Sequence, residues 1–190
     1  RDMAAEGINR LGIPGDFWHA DSQSSFDYKQ DSADMSKEKR VGNEVMTAIL
    51  EQFDEVVFSW GNHDARYHKM VRYGVSFVDT MKMMFHDVPD SLLAKVRWTN
   101  RDHFYLEGAG TPWYVCHPKS YSQVPLTQSR RLAAKMLCKV ITAHSHHNAV
   151  GHDVSGRFTC AAVGGFFDKD RTEYLQRSTQ FPTCQNGYAI

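Results

Sequence analysis

The chain has no excess of charge of either sign: 22 Lys and Arg stand against 22 Asp and Glu. Without a global field to hold a polyanion, a dedicated nucleic-acid-binding module is disfavoured, though a local basic groove is not. Cysteine is scarce as well. The four, Cys116, Cys138, Cys160 and Cys184, lie far apart and none belongs to a C-x-x-C pair. That spacing offers neither a disulfide framework nor a zinc ribbon. Cys116, Cys138 and Cys160 sit in or beside apolar segments, where free cysteine packs as a small core residue. The expected compartment is therefore a reducing cytosol, and the protein is expected to be cytoplasmic. No apolar run reaches the length of a membrane span or of a signal-peptide core. There is also no internal repeat, low-complexity tract or linker. What remains is 190 residues with 42% hydrophobic content, enough for a real core. The expectation is a single α/β domain over residues 1–190. The first residue is Arg rather than Met, so the chain is expected to start inside a longer protein or after processing.

Periodicity places the elements. Residues 2–8 read as the end of a helix and Ile8 to Pro14 as a short strand ending at Gly15-Asp16. Residues 19–35 are polar, and Asp21, Asp27, Asp31 and Asp34 there read as a solvated loop whose spacing does not fit a calcium-binding loop. From Ser36 a helix is expected, with Val41, Val45 and Ile49 repeating every four residues and Met46, Leu50 and Phe53 alongside. Strand 55–60 follows. A second helix is expected from about Tyr67 to Phe85, its methionine stripe serving as core packing. Residues 95–107 and 112–116 alternate like strands. Pro125 opens a helix through Leu137, 139–142 and 157–163 read as strands, and 187–190 as the start of a last one.

The densest chemistry is Gly61-Asn62-His63-Asp64, which follows the apolar run Glu55–Trp60. Asn is seldom a metal ligand, and a neighbouring His-Asp pair reads as an oriented proton donor. The combination points to metal-assisted hydrolysis, of a phosphate ester above all. The same residue types also populate ordinary turns, so the tetrapeptide alone does not decide. Three further sites repeat its grammar of apolar strand, break and metal-competent residue. They are Asp16 after Gly15, His117 after Cys116, and His144 with His146 after Ala143. In layered α/β folds ligands gather where strands give way to loops, so four such ends can converge. The mix of oxygen and imidazole donors suits a borderline divalent ion such as Mn, Fe, Zn or Ni.

The order and spacing of these residues resemble the calcineurin-like metallophosphoesterase superfamily, whose blocks run Asp-x-His, Gly-Asp, Gly-Asn-His-Asp/Glu, Gly-His and Gly-His-x-His. Gly15-Asp16 matches the second block and Gly61-Asn62-His63-Asp64 the third. Cys116-His117 resembles the fourth, with Cys for Gly. Ala143-His144-Ser145-His146 resembles the fifth, with Ala for Gly. Gly15-Asp16-Phe17-Trp18 and Ser24-Ser25-Phe26 are closest to the phage and prophage branch. The resemblance covers residues 15 to about 175. It implies a four-layer α-β-β-α sandwich and hydrolysis of a phosphate mono- or diester by a metal-bridging hydroxide. It implies that Asp16 bridges two divalent metals, that Asn62, His117 and His144 complete one site, and that His146 belongs to the other. His63 would be the general acid, its ring held by Asp64, and Arg66 would either contact a phosphate oxygen or stand as an exposed arginine at a helix start. A metal pair roughly 3.5–4 Å apart clamps an in-line displacement and lowers the pKa of a bridging water. Imidazole is suited to protonate the leaving oxygen near neutrality.

The first block is missing. Asp2-Met3-Ala4 lacks the histidine and lies too close to Asp16 for a strand, a crossover of a dozen or more residues and a return strand. The first strand and its two ligands are expected upstream of residue 1. One metal site would keep Asp16, Asn62, His117 and His144, and the other only Asp16 and His146. The 190-residue chain should then bind one ion better than two and turn over poorly. Loss of that strand should also expose sheet edges. Other histidines carry less. His147 adjoins the fifth block and is expected to point away from it. His19, His68, His86, His103 and His152 have no motif context. A metallo-β-lactamase-type reading of His144-x-His146-His147 needs H-x-H-x-D-H and fails, because Asn148 and Ala149 follow. Two other functions remain, a non-catalytic scaffold and a nuclease using the same site on DNA or RNA. Retention of His63, which would bind no metal, argues against the scaffold, and strong salt sensitivity of binding would mark the nuclease.

Overall fold

The computed structural model describes residues 6–23, 34–71, 74–107, 110–168 and 184–190. They fall into two compact units, residues 1–102 and 103–190. Each unit has its own sheet, so the architecture is mixed α/β with two sheets and flanking helices.

In the first unit, strand β1 (Arg10–Pro14) leads through helix α1 (Met35–Gln52) to strand β2 (Glu55–Ser59). Three helices follow, α2 (Asp64–Val71), α3 (Phe77–Met84) and α4 (Asp90–Leu93), before strand β3 (Val96–Trp98). All three strands are parallel in the order β1-β2-β3, which leaves β1 at an edge. The unbroken apolar run of β2 suits a central strand buried on both faces, and Val56, Val57 and Phe58 are buried. Asp34 caps α1 by accepting from Ser36 and Lys37 N–H at 2.8 and 3.3 Å. At the other end Lys95 Nζ donates to the carbonyls of Leu50 and Phe53 at 2.6 and 3.2 Å.

The buried face of α1 lies one residue beyond the expected one. Gly42, Asn43, Met46 and Leu50 are buried, whereas Val41 and Val45 are exposed. The cause is Trp18, whose ring lies so close over Gly42 that a Cβ there would overlap it. The helix expected from Tyr67 to Phe85 is two helices. Gly74 has φ +88°, which no helix accommodates, and Ser76 starts α3 afresh by accepting from Asp79 N–H at 3.1 Å.

In the second unit the sheet order is β4-β5-β6-β8-β7. The strands are β4 (His103–Leu106), β5 (Trp113–Cys116), β6 (Lys139–Thr142), β7 (Ala149–His152) and β8 (Thr159–Ala162). Helix α5 (Thr127–Met136) joins β5 to β6, which are parallel, as a crossover requires. Its Ala133 packs with Leu126, Cys138, Val140, Cys160 and Ala162. All four cysteines are buried. The strand expected over 95–107 is β3 of one sheet and β4 of the other. β7 was not legible, and residues 187–190 form no strand. Only a single bridge, Gly165 to Asn186, marks that region. Residues 2–5 of the helix end expected over 2–8, and most of the polar loop at 19–35, lie outside the described residues. Among the described residues no helix is long and apolar enough to cross a membrane.

Asp153 closes the turn between β7 and β8. It accepts from Ser155 Oγ at 2.6 Å, Phe158 N–H at 2.9 Å and Ser155 N–H at 3.1 Å. These bonds, Ser155 foremost, lower its pKa from 3.8 to about 2. Because the folded value lies below the unfolded one, the contribution is complete above about pH 4 and is lost as pH falls toward about 2. Thermal unfolding of the chain should therefore shift downward over that window. Asp153→Asn should flatten this part of the Tm profile; an unchanged profile would show that the turn contributes nothing.

Candidate functional site

Every candidate ligand follows the C-terminal end of a strand. In the first unit β1 ends at Pro14 and β2 at Ser59, and these two residues are paired in register. The following segments, Gly15-Asp16 and Gly61–Asp64, therefore emerge side by side. They approach so closely that a Cβ on Gly15 would strike the Gly61 backbone, and a Cβ on Gly61 would strike Asp16. Only glycine allows the two turns to touch. In the second unit Cys116 of β5 pairs with Thr142 of β6, so His117 and Ala143-His144 emerge together in the same way.

Asp64 ties the first pair of turns. It is fully buried, and its carboxylate accepts three backbone N–H groups: Asp16 at 2.7 Å, Gly61 at 2.9 Å and Trp18 at 3.1 Å. Burial, then the nearby Asp16 carboxylate, pushes its pKa up to about 7, against the pull of those donors. The expected bond from Asp64 to the His63 ring is not made. His63 Nδ1 instead lies 2.6 Å from the carbonyl oxygen of His19. The physical reason is geometric: Asp64 is the first residue of α2, and its side chain turns toward the strand-end amides. His63 N–H donates to Asp16 Oδ1 at 2.8 Å, fixing that carboxylate. Burial lowers the His63 pKa, Asp16 opposes the shift, and Arg66 adds to it. Arg66 NH1 donates to the His19 and Ala20 carbonyls at 3.2 and 3.4 Å and lies 3.5 Å from Asp21. Its guanidinium is thus engaged with the turn at residues 19–21.

In the second unit His117 Nε2 and His144 Nδ1 are 3.0 Å apart, with His117 buried. Two imidazole lone pairs approach that closely only when they share a proton or a cation. Three of the five candidate ligands, Asp16, His144 and His146, have left-handed backbone, at φ +54°, +74° and +54°. Such values are uncommon outside glycine and store strain that functional sites often hold. At His144 the strain has a visible form. Ser145 N–H bonds back to the Ala143 carbonyl at 2.9 Å, a three-residue turn about a positive-φ centre. The His146 carbonyl accepts from Gln185 N–H at 2.7 Å, and its ring lies 5.0 Å from that of Phe167. His147 is buried, and neither of its ring nitrogens has a hydrogen-bond partner among the described residues. Burial lowers its pKa.

The donor types in each unit are ones a divalent ion takes. A carboxylate and a carboxamide follow the strand ends of the first unit and three imidazoles those of the second, and both donor types are ones that Mn, Fe, Zn or Ni accepts. Sequence reasoning missed the part played by residues 19–21 and Glu38 around His63. A backbone carbonyl leaves no mark on a motif, although a second imidazole three residues after Asp16 was visible.

No family profile and no curated protein sequence matches the chain. One solved structure that does match is described as "Structural and Functional Characterization of a Novel Archaeal Phosphodiesterase". It is 13% identical, aligns over 85% of this chain and 70% of that one, and has a TM-score of 0.46. A likeness of that strength decides neither fold family nor activity.

Proposed function

We propose that this chain is a metal-dependent phosphoester hydrolase of the calcineurin-like type, in its phage and prophage branch, with that type's four-layer α-β-β-α sandwich. The metal ligands are Asp16, Asn62, His117, His144 and His146, and His63 is the general acid. The observation that carries the reading is the 3.0 Å approach of His117 Nε2 to His144 Nδ1 at the ends of two parallel strands. Divalent ions, when bound, supply Lewis acidity to the phosphoryl group and a nucleophile at neutral pH. The chain's own residues do the rest. Asp64 holds the turns that carry Asp16, Gly61 and Trp18. The His63 backbone N–H orients Asp16 Oδ1, and the His63 ring delivers a proton to the departing oxygen.

Asp16, Asn62, His117 and His144 make one fuller ligand set, and Asp16 with His146 a sparser one. Calorimetric titration of residues 1–190 with Mn should accordingly give one tight ion per chain, and two equally tight ions would contradict that division. The activity is tested by hydrolysis of bis(p-nitrophenyl) phosphate and p-nitrophenyl phosphate with Mn and with a chelator. Hydrolysis should require metal. His144→Ala should lose ion and activity together. Metal-independent hydrolysis, or none of either ester by a metal-loaded protein, would refute the reading.

A further inference from the structure

With Asp64 committed to backbone amides, something else must aim His63. The contact made is the His19 carbonyl, 2.6 Å from Nδ1. A carbonyl only accepts, so at that distance Nδ1 carries a proton, and the acid form of the ring holds its second, transferable proton on Nε2. The carbonyl belongs to a turn held from both sides. Glu38 of α1 accepts His19 and Ala20 N–H on Oε1 at 2.6 and 2.8 Å, and its Oε2 accepts the Tyr67 hydroxyl at 2.7 Å. Arg66 of α2 donates to both carbonyls of the same two residues. Asp21 pairs with His19 Nε2 at 2.8 Å and faces Arg66. Between them Ala20 sits at φ +54°. A non-glycine residue keeps that conformation only where its surroundings over-determine it. The His19 ring completes the clamp by lying over the His63 ring, with centroids 5.5 Å apart and planes 25° apart.

We propose that the turn His19–Asp21, clamped between Glu38 and Arg66, is the positioning device for His63, fixing its Nδ1–H tautomer and its direction. This rests on the hydrolase reading above. Glu38, Asp21 and the His19 ring then act through His63 and not on the phosphate.

The test uses leaving groups. An alkyl phosphodiester needs a proton at its departing oxygen, and a p-nitrophenyl phosphodiester hardly does. In the metal-loaded protein, Asp21→Asn and Glu38→Ala should lower turnover of the alkyl ester by about tenfold or more and that of the p-nitrophenyl ester by less than about threefold. Metal content should not change. Added to His63→Ala, neither should lower alkyl-ester turnover further. Long-range nitrogen–proton NMR of the unaltered protein should show the Nδ1–H form of His63, and Glu38→Ala should mix the two tautomers. Equal losses on both esters, losses that add to His63→Ala, or a dominant Nε2–H tautomer would each overturn the proposal. If Glu38→Ala fails to fold, Asp21→Asn and the tautomer of the unaltered protein decide. If His63→Ala itself does not discriminate between the esters, the general-acid role of His63 fails, and absence of metal-dependent hydrolysis altogether is what removes the hydrolase reading. If it does and the turn variants do not, only the positioning role fails.

Discussion

Asp64→Ala should unfold the first unit rather than merely slow a reaction. The substitution strands the backbone N–H groups of Asp16, Trp18 and Gly61, all directed at a carboxylate with no exposed surface. Each orphaned buried donor costs about 1–3 kcal/mol, so three cost roughly 3–9 kcal/mol. Water entering the cavity offsets part of that sum. Even the lower end is a large share of the about 5–15 kcal/mol that holds a typical domain together. Urea unfolding of the variant should give a much lower midpoint or no cooperative transition. A midpoint within experimental error of the parent would mean that the three bonds are worth nothing and that Asp64 acts elsewhere. The same result would restore the expectation that Asp64 serves the His63 ring directly.

His63→Ala should do the opposite. The ring is half-buried and bonds to the His19 carbonyl. Removing it leaves Asp16 still tied to the residue-63 backbone N–H, which alanine retains. Stability and metal content should stay close to the parent values. Hydrolysis of an ester with a poor leaving group should fall by about 10²–10⁴-fold, the usual contribution of a positioned acid. Unchanged turnover with metal still bound would favour a scaffold, or a mechanism in which the leaving group departs unaided. Set beside Asp64→Ala, this variant separates two neighbours in one tetrapeptide: one carries a fold, the other a proton.

The strand ends were legible because they are bounded chemically. Pro14, Ser59, Cys116 and Thr142 each close a short apolar run and are followed at once or within two residues by Gly, His or Ala. Metal-competent residue types at four such ends were enough to nominate Asp16, Asn62, His117, His144 and His146. What failed was whatever depends on tertiary contact. Residues 95–107 read as one strand on alternation alone, although Asn100 and Asp102 are turn formers, and the chain passes there from one sheet to the other. Ala149–His152 went unread because an edge strand with an exposed Val150 and a glycine has no apolar face to betray it. Val41 and Val45 fitted a helical stripe, but the ring of Trp18 chose Gly42 and its neighbours instead.

The site divides in the same way. Residue identity reveals which side chains can bind a metal or move a proton. It does not reveal where a side chain points. His63 and Asp64 are adjacent in sequence, and adjacency invited a hydrogen bond between them. The first residue of α2 instead reaches back to amides at the strand ends, and the imidazole takes a carbonyl 44 residues away. The left-handed backbone at Asp16, His144 and His146 was equally invisible, since none of them is glycine.

The central claim is that Asp16, His117 and His144 are ligands of one divalent ion in a phosphoester hydrolase. Anomalous diffraction from crystals soaked in zinc tests it most directly. A peak should appear about 2.0–2.1 Å from the facing nitrogens of His117 and His144. In that structure the 3.0 Å hydrogen bond between the two rings would be replaced by bonds to the ion. Crystals at saturating zinc in which the rings still share that bond, with no peak beside Asp16, would contradict it.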